Sequence, residues 1–306
     1  EFHFEVVGDI LTPEILNFLE TVPPGMFQFE IGIQTTTESV QETIQRKQSN
    51  EKLFETVQRL VEQDRIHFHC DLIFGLPGET LEHIQHSFSQ VMALKPHELQ
   101  LGFLKFLPGA PINSLVQENQ YRYQSTPPYE LISHKNLSAE EVLYLKQFED
   151  IFDRYYNSKR FRFSIHYLLG KMDAVTLFNR LLEYHDTHGL LMNPVSLDEY
   201  YRIFRDTFYP APTLMEQDLL KLDYLYAQRS FRLPGILSSK STPPVKTWKK
   251  DRKTPVIPFN HDIEICRSQA ILKVSANTVY YAIAHSQNGE GYFSRPTVNA
   301  IAESNA

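Results

Sequence analysis

Strand-like apolar runs alternate with amphipathic helical patterns through the first third of the chain. The strand-like runs are FHFEVV (2–7), MFQFEIGIQT (26–35), IHFHCDLIFGL (66–76) and ELQLGFLKFL (98–107), with helical patterns between them. This alternation predicts parallel strands joined by right-handed crossovers, as in a doubly wound sheet or a barrel. A complete eight-stranded barrel needs about 250 residues. The sequence therefore predicts an α/β fold with a partial (half) TIM barrel, or an open sheet.

The composition changes after residue 113, and we predict a domain boundary near residue 128. Residues 1–128 would form the barrel half, and residues 129–306 a mainly α-helical accessory domain. Within the second part, a Pro-, Ser- and Lys-rich stretch at 230–258 is predicted to be a linker. The tail beyond it contains β-patterned runs such as TVYYAIAH, which predict a small β piece.

Charge and cysteine content narrow the function classes. A net charge of -7 argues against general nucleic-acid binding. The basic run KTWKKDRK at 246–253 is typical of a solvated loop, with a local nucleic-acid or acidic-partner contact as the alternative. No apolar run approaches the ~20 residues that span a bilayer. Two cysteines, Cys70 and Cys266, exclude a disulfide scaffold and favour the cytoplasm.

The opening run FHFEVV reads as a core strand that begins at the second residue. We therefore expect the chain to be a piece of a longer protein whose preceding part carries essential chemistry. The outer edge of this first strand would then lack a neighbour, and exposed strand edges recruit other chains. We expect a homodimer through this N-terminal edge strand, or cover by the C-terminal segment.

Polar side chains accompany the predicted strands, where parallel α/β folds bind ligands. Glu5 lies on the first strand, Gln34 ends the second, Asp71 lies on the third, and Arg46 follows one helix after Gln34. Acidic and amide groups suit sugar hydroxyls and an amino group, and a guanidinium suits a carboxylate. The structural alternatives are an Asp71–Arg46 pair, a buried amide at Gln34 and a helix-capping role for Glu5.

The run HFHC raises the question of a metal site. On a strand, His67 and His69 share one face while Cys70 takes the other. Three converging ligands are therefore not expected from this run, and we predict no metal ligands in the chain. Cys70 is interpreted as a small core residue.

The four strand segments resemble the second half of the partial barrel of radical S-adenosylmethionine (SAM) enzymes. The segments that carry the resemblance are FHFEV…LTPEIL, FEIGIQTTTESVQETIQRKQS, CDLIFGLPGET and LQLGFLKFLPGAPI. The spacing of Gln34, Arg46 and Asp71 is similar to that in the coproporphyrinogen-dehydrogenase-like branch. The later part of the chain resembles the C-terminal domain of uncharacterised function found on cobalamin-binding-type radical SAM proteins.

The resemblance implies roles in binding SAM. Glu5 and Gln34 would serve its ribose or methionyl end, Arg46 its carboxylate and Asp71 its ribose hydroxyls. The main chain near Ile73 and Lys105 would line the adenine. The family's CxxxCxxC loop, which holds a 4Fe–4S cluster, is absent from the sequence, and two cysteines cannot replace it. Both the cluster and any cobalamin would belong to the parent protein.

Two functions follow from these observations. The first is the SAM-binding half of a radical SAM enzyme, inactive alone, acting in the parent protein on a second substrate. The alternative is a non-catalytic binding or scaffold module that uses the helical domain as its working surface.

Overall fold

A computed structural model describes residues 2–63, 65–227 and 233–237, together with the backbone of six strands between Lys246 and Ser294. The chain forms two compact units. The first comprises Glu1–Asn157 and Met172–Asn179; the second comprises Ser158–Lys171, Arg180–Cys266 and Ala270–Ala306. The boundary near residue 128 stays a prediction about where a separate domain begins, and the first compact unit continues past it.

A parallel sheet of four strands forms the centre of the first unit, in the order in which the strands occur along the chain. The strands are β1 (Phe2–Val6), β2 (Phe27–Gln34), β3 (His67–Phe74) and β4 (Glu98–Phe103). The crossovers contain α1 (Pro13–Leu19), α2 (Glu38–Thr43), α3 (Asn50–Gln63) and α4 (Leu81–Ala93). The predicted fold class, a partial barrel of parallel strands followed by a mainly helical part, is confirmed.

Side-chain caps open two of these helices. The Thr12 hydroxyl accepts a hydrogen bond from the Ile15 amide, and Pro13 occupies the first turn of α1. Thr80 caps α4 in the same way. Each such cap satisfies an amide that has no partner within the helix, which contributes about 1 kcal/mol.

The two faces of the sheet differ sharply in polarity. On β2 and β3 every second side chain is buried, among them Phe29, Ile31, Phe68 and Cys70. A slip of one residue would turn this apolar set out and the polar set in. The alternation therefore fixes the register, and it leaves a polar face on the opposite side of the sheet.

After β4 the first unit continues with a short antiparallel pair, β5 (Arg122–Tyr123) and β6 (Leu131–Ser133), and with α5 (Ala139–Phe152). A capping box formed by Ser138 and Glu141 opens α5. Beyond this helix, the Asn157 side chain accepts from the Leu99 amide at 3.1 Å and donates to the Leu99 carbonyl at 3.0 Å. The outer edge of β4 is therefore covered at this residue.

The second unit contains α6 (Arg162–Leu169), α8 (Leu197–Phe208) and α9 (Leu214–Ala227), and α7 (Ala174–Thr187) lies between the first two in sequence. Buried Asp223 accepts hydrogen bonds from the Phe163 and Ser164 amides at 2.7 and 3.0 Å, which satisfies the start of α6. Burial raises the pKa of Asp223 to about 7. Phe161 stacks on Phe204 with ring centroids 4.4 Å apart.

Six strands follow: β7 (Lys246–Trp248), β8 (Thr254–Phe259), β9 (Asp262–Ile265), β10 (Leu272–Ser275), β11 (Val279–His285) and β12 (Gly291–Ser294). They form one antiparallel sheet in the order β12–β11–β8–β7 and a separate β9–β10 pair, the predicted β piece of the tail. The strand β7 falls inside the range predicted as a linker, 230–258, and β8 overlaps its end. The remainder of that range lies largely outside the described residues.

Among the described residues, no helix combines the length and the apolar character needed to cross a membrane.

Candidate functional site

The polar face of the sheet carries its side chains in rows that run across the strands. The strand pairing aligns His3, Gln28 and His67 in one row, and Glu5, Glu30, His69 and Glu98 in the next. A third row contains Gly32, Asp71 and Gln100. Parallel strands usually bury both faces, so a face with this many ionisable groups indicates contact with water or a ligand.

Asp71 is half-buried on this face without a compensating cation. No side chain in residues 2–63 or 65–227 forms a hydrogen bond or an ion pair with its carboxylate. Burial, followed by the charges of Glu30 and Glu5, raises the pKa of Asp71 to about 6. The predicted alternative, an Asp71–Arg46 pair, is not formed. Negative charge therefore accumulates at this part of the sheet.

Gln34 and Arg46 meet around Gly32. Arg46 donates from Nη2 to the Gly32 carbonyl at 2.5 Å and from Nε to Gln48 Oε1 at 2.9 Å. A Cβ at Gly32 would lie 2.8 Å from Gln34 Nε2 and 3.8 Å from Arg46 Nη2. Gly32 is also the register neighbour of Asp71, so Gln34 and Arg46 contact the residue that lies beside Asp71 in the sheet. Gly32 was not among the predicted site residues, although the sequence places it within the strand pattern FEIGIQ.

A backbone irregularity at the end of β2 directs Gln34. The pairing with β3 shifts between Gly32 and Gln34, and Gln34 has a positive φ of 68°. Such bulges re-aim side chains and are frequent next to functional sites. Buried amides then hold the loop that follows: Gln41 donates to the Thr35 carbonyl at 2.8 Å, and Asn50 donates to the Thr36 carbonyl at 2.7 Å.

The charge of Arg46 is also affected by the carboxylate of Asp9. Burial lowers the pKa of Arg46, and the Coulombic effect of Asp9 acts in the opposite direction. Asp9 Oδ2 accepts a hydrogen bond from the Ser49 amide at 2.9 Å, which anchors the chain just beyond Arg46. The guanidinium is thus positioned by the loop around it.

The GLPGE turn after β3 is organised by a buried acid that sequence reasoning missed. Glu79 Oε2 accepts hydrogen bonds from the Gly75 and Leu76 amides at 2.9 and 3.2 Å. Burial raises the pKa of Glu79 to about 8 despite these bonds. The Tyr121 hydroxyl donates to the Gly75 carbonyl at 3.0 Å. The turn is therefore held rigidly beside the end of β3.

The other predicted site residues, Glu5, Ile73 and Lys105, lie at other positions along the strands or beyond them. Glu5 is exposed on β1, one row before Asp71 and level with Glu30. Ile73 is half-buried on the polar face, two residues after Asp71. Lys105 lies beyond β4 with an exposed side chain, and its backbone bridges to Glu130. Gln34, Arg46 and Asp71 therefore form the compact part of the predicted set.

The face assignment of His67, His69 and Cys70 is confirmed. The two histidines are half-buried on the polar face, and Cys70 is fully buried on the other. Burial, followed by the charge of Asp71, raises the pKa of the Cys70 thiol well above its ordinary range. Cys70 is therefore an inert core thiol. The structure adds Glu98 beside the two histidines, a neighbour that spacing along the sequence did not predict.

The first unit, a parallel α/β half barrel with one polar face, belongs to a known class: residues 1–91 match the radical SAM superfamily. Residues 117–288, more than half of the chain, match the family described as "Protein of unknown function (DUF4080)". The chain belongs to that family and combines its domain with a radical SAM domain.

Curated relatives match the chain over limited regions. The heme chaperone HemW of Bacillus subtilis is 28% identical over 139 residues, which are 44% of this chain and 36% of that protein. The cobalamin-dependent radical SAM methyltransferase TokK of Streptomyces tokunonensis is 30% identical over 98 residues, 32% of this chain and 14% of that protein. The chain thus spans well under half the length of each relative.

Two solved structures are similar over part of the chain. Coproporphyrinogen III oxidase (HemN) of Escherichia coli is 22% identical, with a TM-score of 0.32, and the match covers 49% of this chain and 38% of that chain. TsrM of Kitasatospora setae, a radical SAM methyltransferase with cobalamin and a [4Fe-4S] cluster bound, is 14% identical, with a TM-score of 0.34. That match covers 42% of this chain and 26% of the TsrM chain.

Proposed function

We propose that the polar face of the first unit forms part of an S-adenosylmethionine site. The observation that carries the proposal is the arrangement of Gln34, Arg46 and Asp71 around Gly32, in a chain whose first 91 residues match the radical SAM superfamily. Glycine at that position leaves room for a ligand to approach the strand.

Each part of SAM has a chemically suitable group on this face. Arg46 offers a guanidinium to the methionine carboxylate. Asp71 accepts hydrogen bonds from the ribose hydroxyls, and Gln34 and Glu5 serve the ribose or the methionyl end. The main chain near Ile73 and Lys105 lines the adenine. SAM also carries a sulfonium and an ammonium charge, which complement the uncompensated carboxylates of this face.

The residues of this chain do not fit a 4Fe–4S cluster. Such a cluster takes several thiolates, whereas the sequence contains two cysteines and Cys70 is fully buried. We propose that residues outside this sequence supply the cluster and that the 306 residues alone do not cleave SAM. The gene upstream tests this: a CxxxCxxC loop within roughly 60–80 residues of Glu1 is expected, since two further βα units take about that length. Its absence favours the scaffold function.

We assign cobalamin binding to the longer parent protein and not to this chain. TokK is named as cobalamin-dependent, which supports cobalamin use by the longer protein. A cytoplasmic location is part of the same proposal, because a chain with two cysteines lacks the disulfide framework typical of small secreted proteins.

The test of the SAM site is isothermal titration of SAM into the longer protein that supplies the cluster. Asp71→Asn and Arg46→Gln each remove a charge-assisted hydrogen bond, worth about 1.5–3 kcal/mol, and we expect roughly 10- to 100-fold weaker binding. Exposed residues give matched controls, Asp186→Asn and Arg122→Gln. Unchanged affinity in both site variants refutes the assignment.

A second candidate function rests on the edge of the sheet. Among the described strands β1 lies at an edge, and Phe2 and Phe4 on it are 55% and 47% exposed. An exposed apolar edge recruits another strand. We propose that β1 pairs with a second copy when nothing else covers it; a scaffold function would use this contact and the helical unit together. A net charge of -7 does not favour nucleic acid as a partner.

A further inference from the structure

A second cluster of side chains lies on the polar face, nearer the start of the strands than Gly32. His67 and His69 are two residues apart on β3, so their imidazoles project from the same face. Glu98 is the register neighbour of His69 on β4. His67 Nε2 lies 3.5 Å from Glu98 Oε1, and His69 Nε2 lies 3.4 Å from Glu98 Oε2. The three ligand atoms all lie within 4.8 Å of one another.

His69 faces both a side-chain amide and a carboxylate. Its Nε2 lies 3.2 Å from the Gln28 amide nitrogen, a donor, and 3.4 Å from the carboxylate of Glu98, an acceptor. A ring nitrogen either accepts or donates a hydrogen bond. A bound cation would use the lone pair of His69 Nε2 and the negative charge of Glu98 at the same time.

We propose that His67, His69 and Glu98 bind a zinc ion. Two neutral imidazoles and a carboxylate are ligands that zinc accepts. Bonds of about 2.0–2.1 Å at tetrahedral angles place neighbouring ligand atoms about 3.3–3.4 Å apart. Adjacent ligands of an octahedral ion with bonds of similar length are separated by about 3.0 Å. The candidate ligand atoms lie within 4.8 Å of one another, so small side-chain rotations bring them to the tetrahedral spacing.

The surroundings orient the ligands and favour a positive ion. The His97 ring lies 4.9 Å from the His67 ring and 4.7 Å from the Phe68 ring, and its Nδ1 accepts a hydrogen bond from the Phe68 amide at 3.4 Å. His97 is therefore a positioning residue for His67. Glu30 pairs in register with His69 and adds negative charge beside the site.

Access and coordination number define the class of ligand that such a zinc would take. The side chains of His67, His69 and Glu98 are 33%, 21% and 31% exposed, so an ion can enter from solvent. Three protein ligands leave a fourth position for water or for an anionic donor atom of a bound molecule. Cys70 does not fill this position, because it lies on the opposite face. The zinc site lies on the same face as the proposed SAM site, one row before Asp71, and the test of zinc binding does not depend on SAM.

The test is titration of the tag-free, chelator-treated chain with zinc chloride by calorimetry, and with Co²⁺ by visible absorption. We expect one zinc ion per chain and the intense absorption of four-coordinate Co²⁺. Glu98→Gln keeps the side-chain volume, and His67→Ala removes a ring; each should weaken zinc binding at least ~10-fold. The matched controls are Glu82→Gln and His86→Ala on the exposed surface of α4, which should bind zinc like the wild type.

Three outcomes overturn the proposal. The first is a wild-type chain that binds no zinc, and the second is unchanged zinc affinity in Glu98→Gln. The third is the weak absorption of six-coordinate Co²⁺, which contradicts a tetrahedral site. If His67→Ala fails to fold, as judged by circular dichroism, the isosteric Glu98→Gln decides the question.

Discussion

Substituting Gly32 by alanine separates ligand binding from stability. The new Cβ would lie 2.8 Å from Gln34 Nε2, so one of the two must move. Gln34 Nε2 is the far end of a flexible side chain, and its displacement is therefore cheap in folding energy. Alanine also reduces the freedom of the unfolded chain, which stabilises by about 0.4–1 kcal/mol. We expect the free energy of unfolding to change by no more than about 1 kcal/mol.

The affinity for SAM should nevertheless fall. Moving Gln34 removes a neutral hydrogen bond to the ligand, worth about 0.5–1.5 kcal/mol, or roughly a 2- to 12-fold change in the dissociation constant. Calorimetric titration measures the affinity, and urea unfolding measures the stability. Gly102→Ala is the matched control, because its Cβ would face the Leu72 carbonyl at an ordinary 3.5 Å. Equal SAM affinity in Gly32→Ala and wild type refutes the role assigned to Gln34. A loss of stability well above 2 kcal/mol would show that Gln34 cannot move.

Three further predictions concern the turn after β3 and the edge of the sheet. Glu79→Gln should flatten the pH dependence of the free energy of unfolding between about pH 4.5 and 8. The raised pKa means that the folded chain binds the Glu79 proton more tightly than the unfolded chain does. The resulting stabilisation is fully present below pH 4.5 and is lost as the pH rises through about 8. Gly75→Ala should destabilise by about 2–5 kcal/mol, because φ is 87° and the new Cβ would lie 2.0 Å from Leu131. Gly78→Ala, with φ of 80° and open space, should cost about 1–2 kcal/mol. Phe4→Lys should shift a dimer formed through β1 toward monomer in sedimentation velocity.

Each of these measurements has its own control. Glu82→Gln, on the exposed start of α4, should leave the pH profile unchanged. Equal losses of stability in the two glycine variants, measured by urea unfolding, would contradict the contact with Leu131. Met192→Lys, at a position that is 94% exposed, should not alter sedimentation. A wild-type chain that sediments as a monomer at all concentrations would contradict pairing through β1.

The order of elements was predictable because local rules determine it. Thr12, Thr80 and Ser138 each stand one position before a helical pattern, and capping chemistry makes such residues reliable starts. Alternation of apolar residues likewise separated the faces of β3, which placed Cys70 apart from its two histidine neighbours. Both the caps and the strand alternation are patterns among residues that are close together in the sequence.

The arrangement of the candidate site depends on the pairing register between neighbouring strands, which cannot be derived from the sequence. Glu5 lies one row away from Asp71 because β1 pairs Glu5 with Glu30. Glu98 reaches His67 and His69 only because β4 begins level with His69, near the start of β3. Glu79 follows a turn, where an acid is ordinarily solvated, and nothing local indicates that it is buried. These features arise from contacts between distant segments, so no pattern along the chain reports them.

The two faces of the sheet explain why ionisable groups can be concentrated here at all. A parallel sheet covered on both sides would have to desolvate Glu30, Asp71 and Glu98, at a penalty of several kcal/mol for each unpaired charge. The structure reduces that penalty because the helical crossovers and the apolar side chains share one face, and half-buried carboxylates occupy the other. Such a face keeps its charges partly hydrated until a ligand arrives. A cationic ligand then replaces water with an opposite charge, and its binding strengthens as it excludes solvent from the sheet.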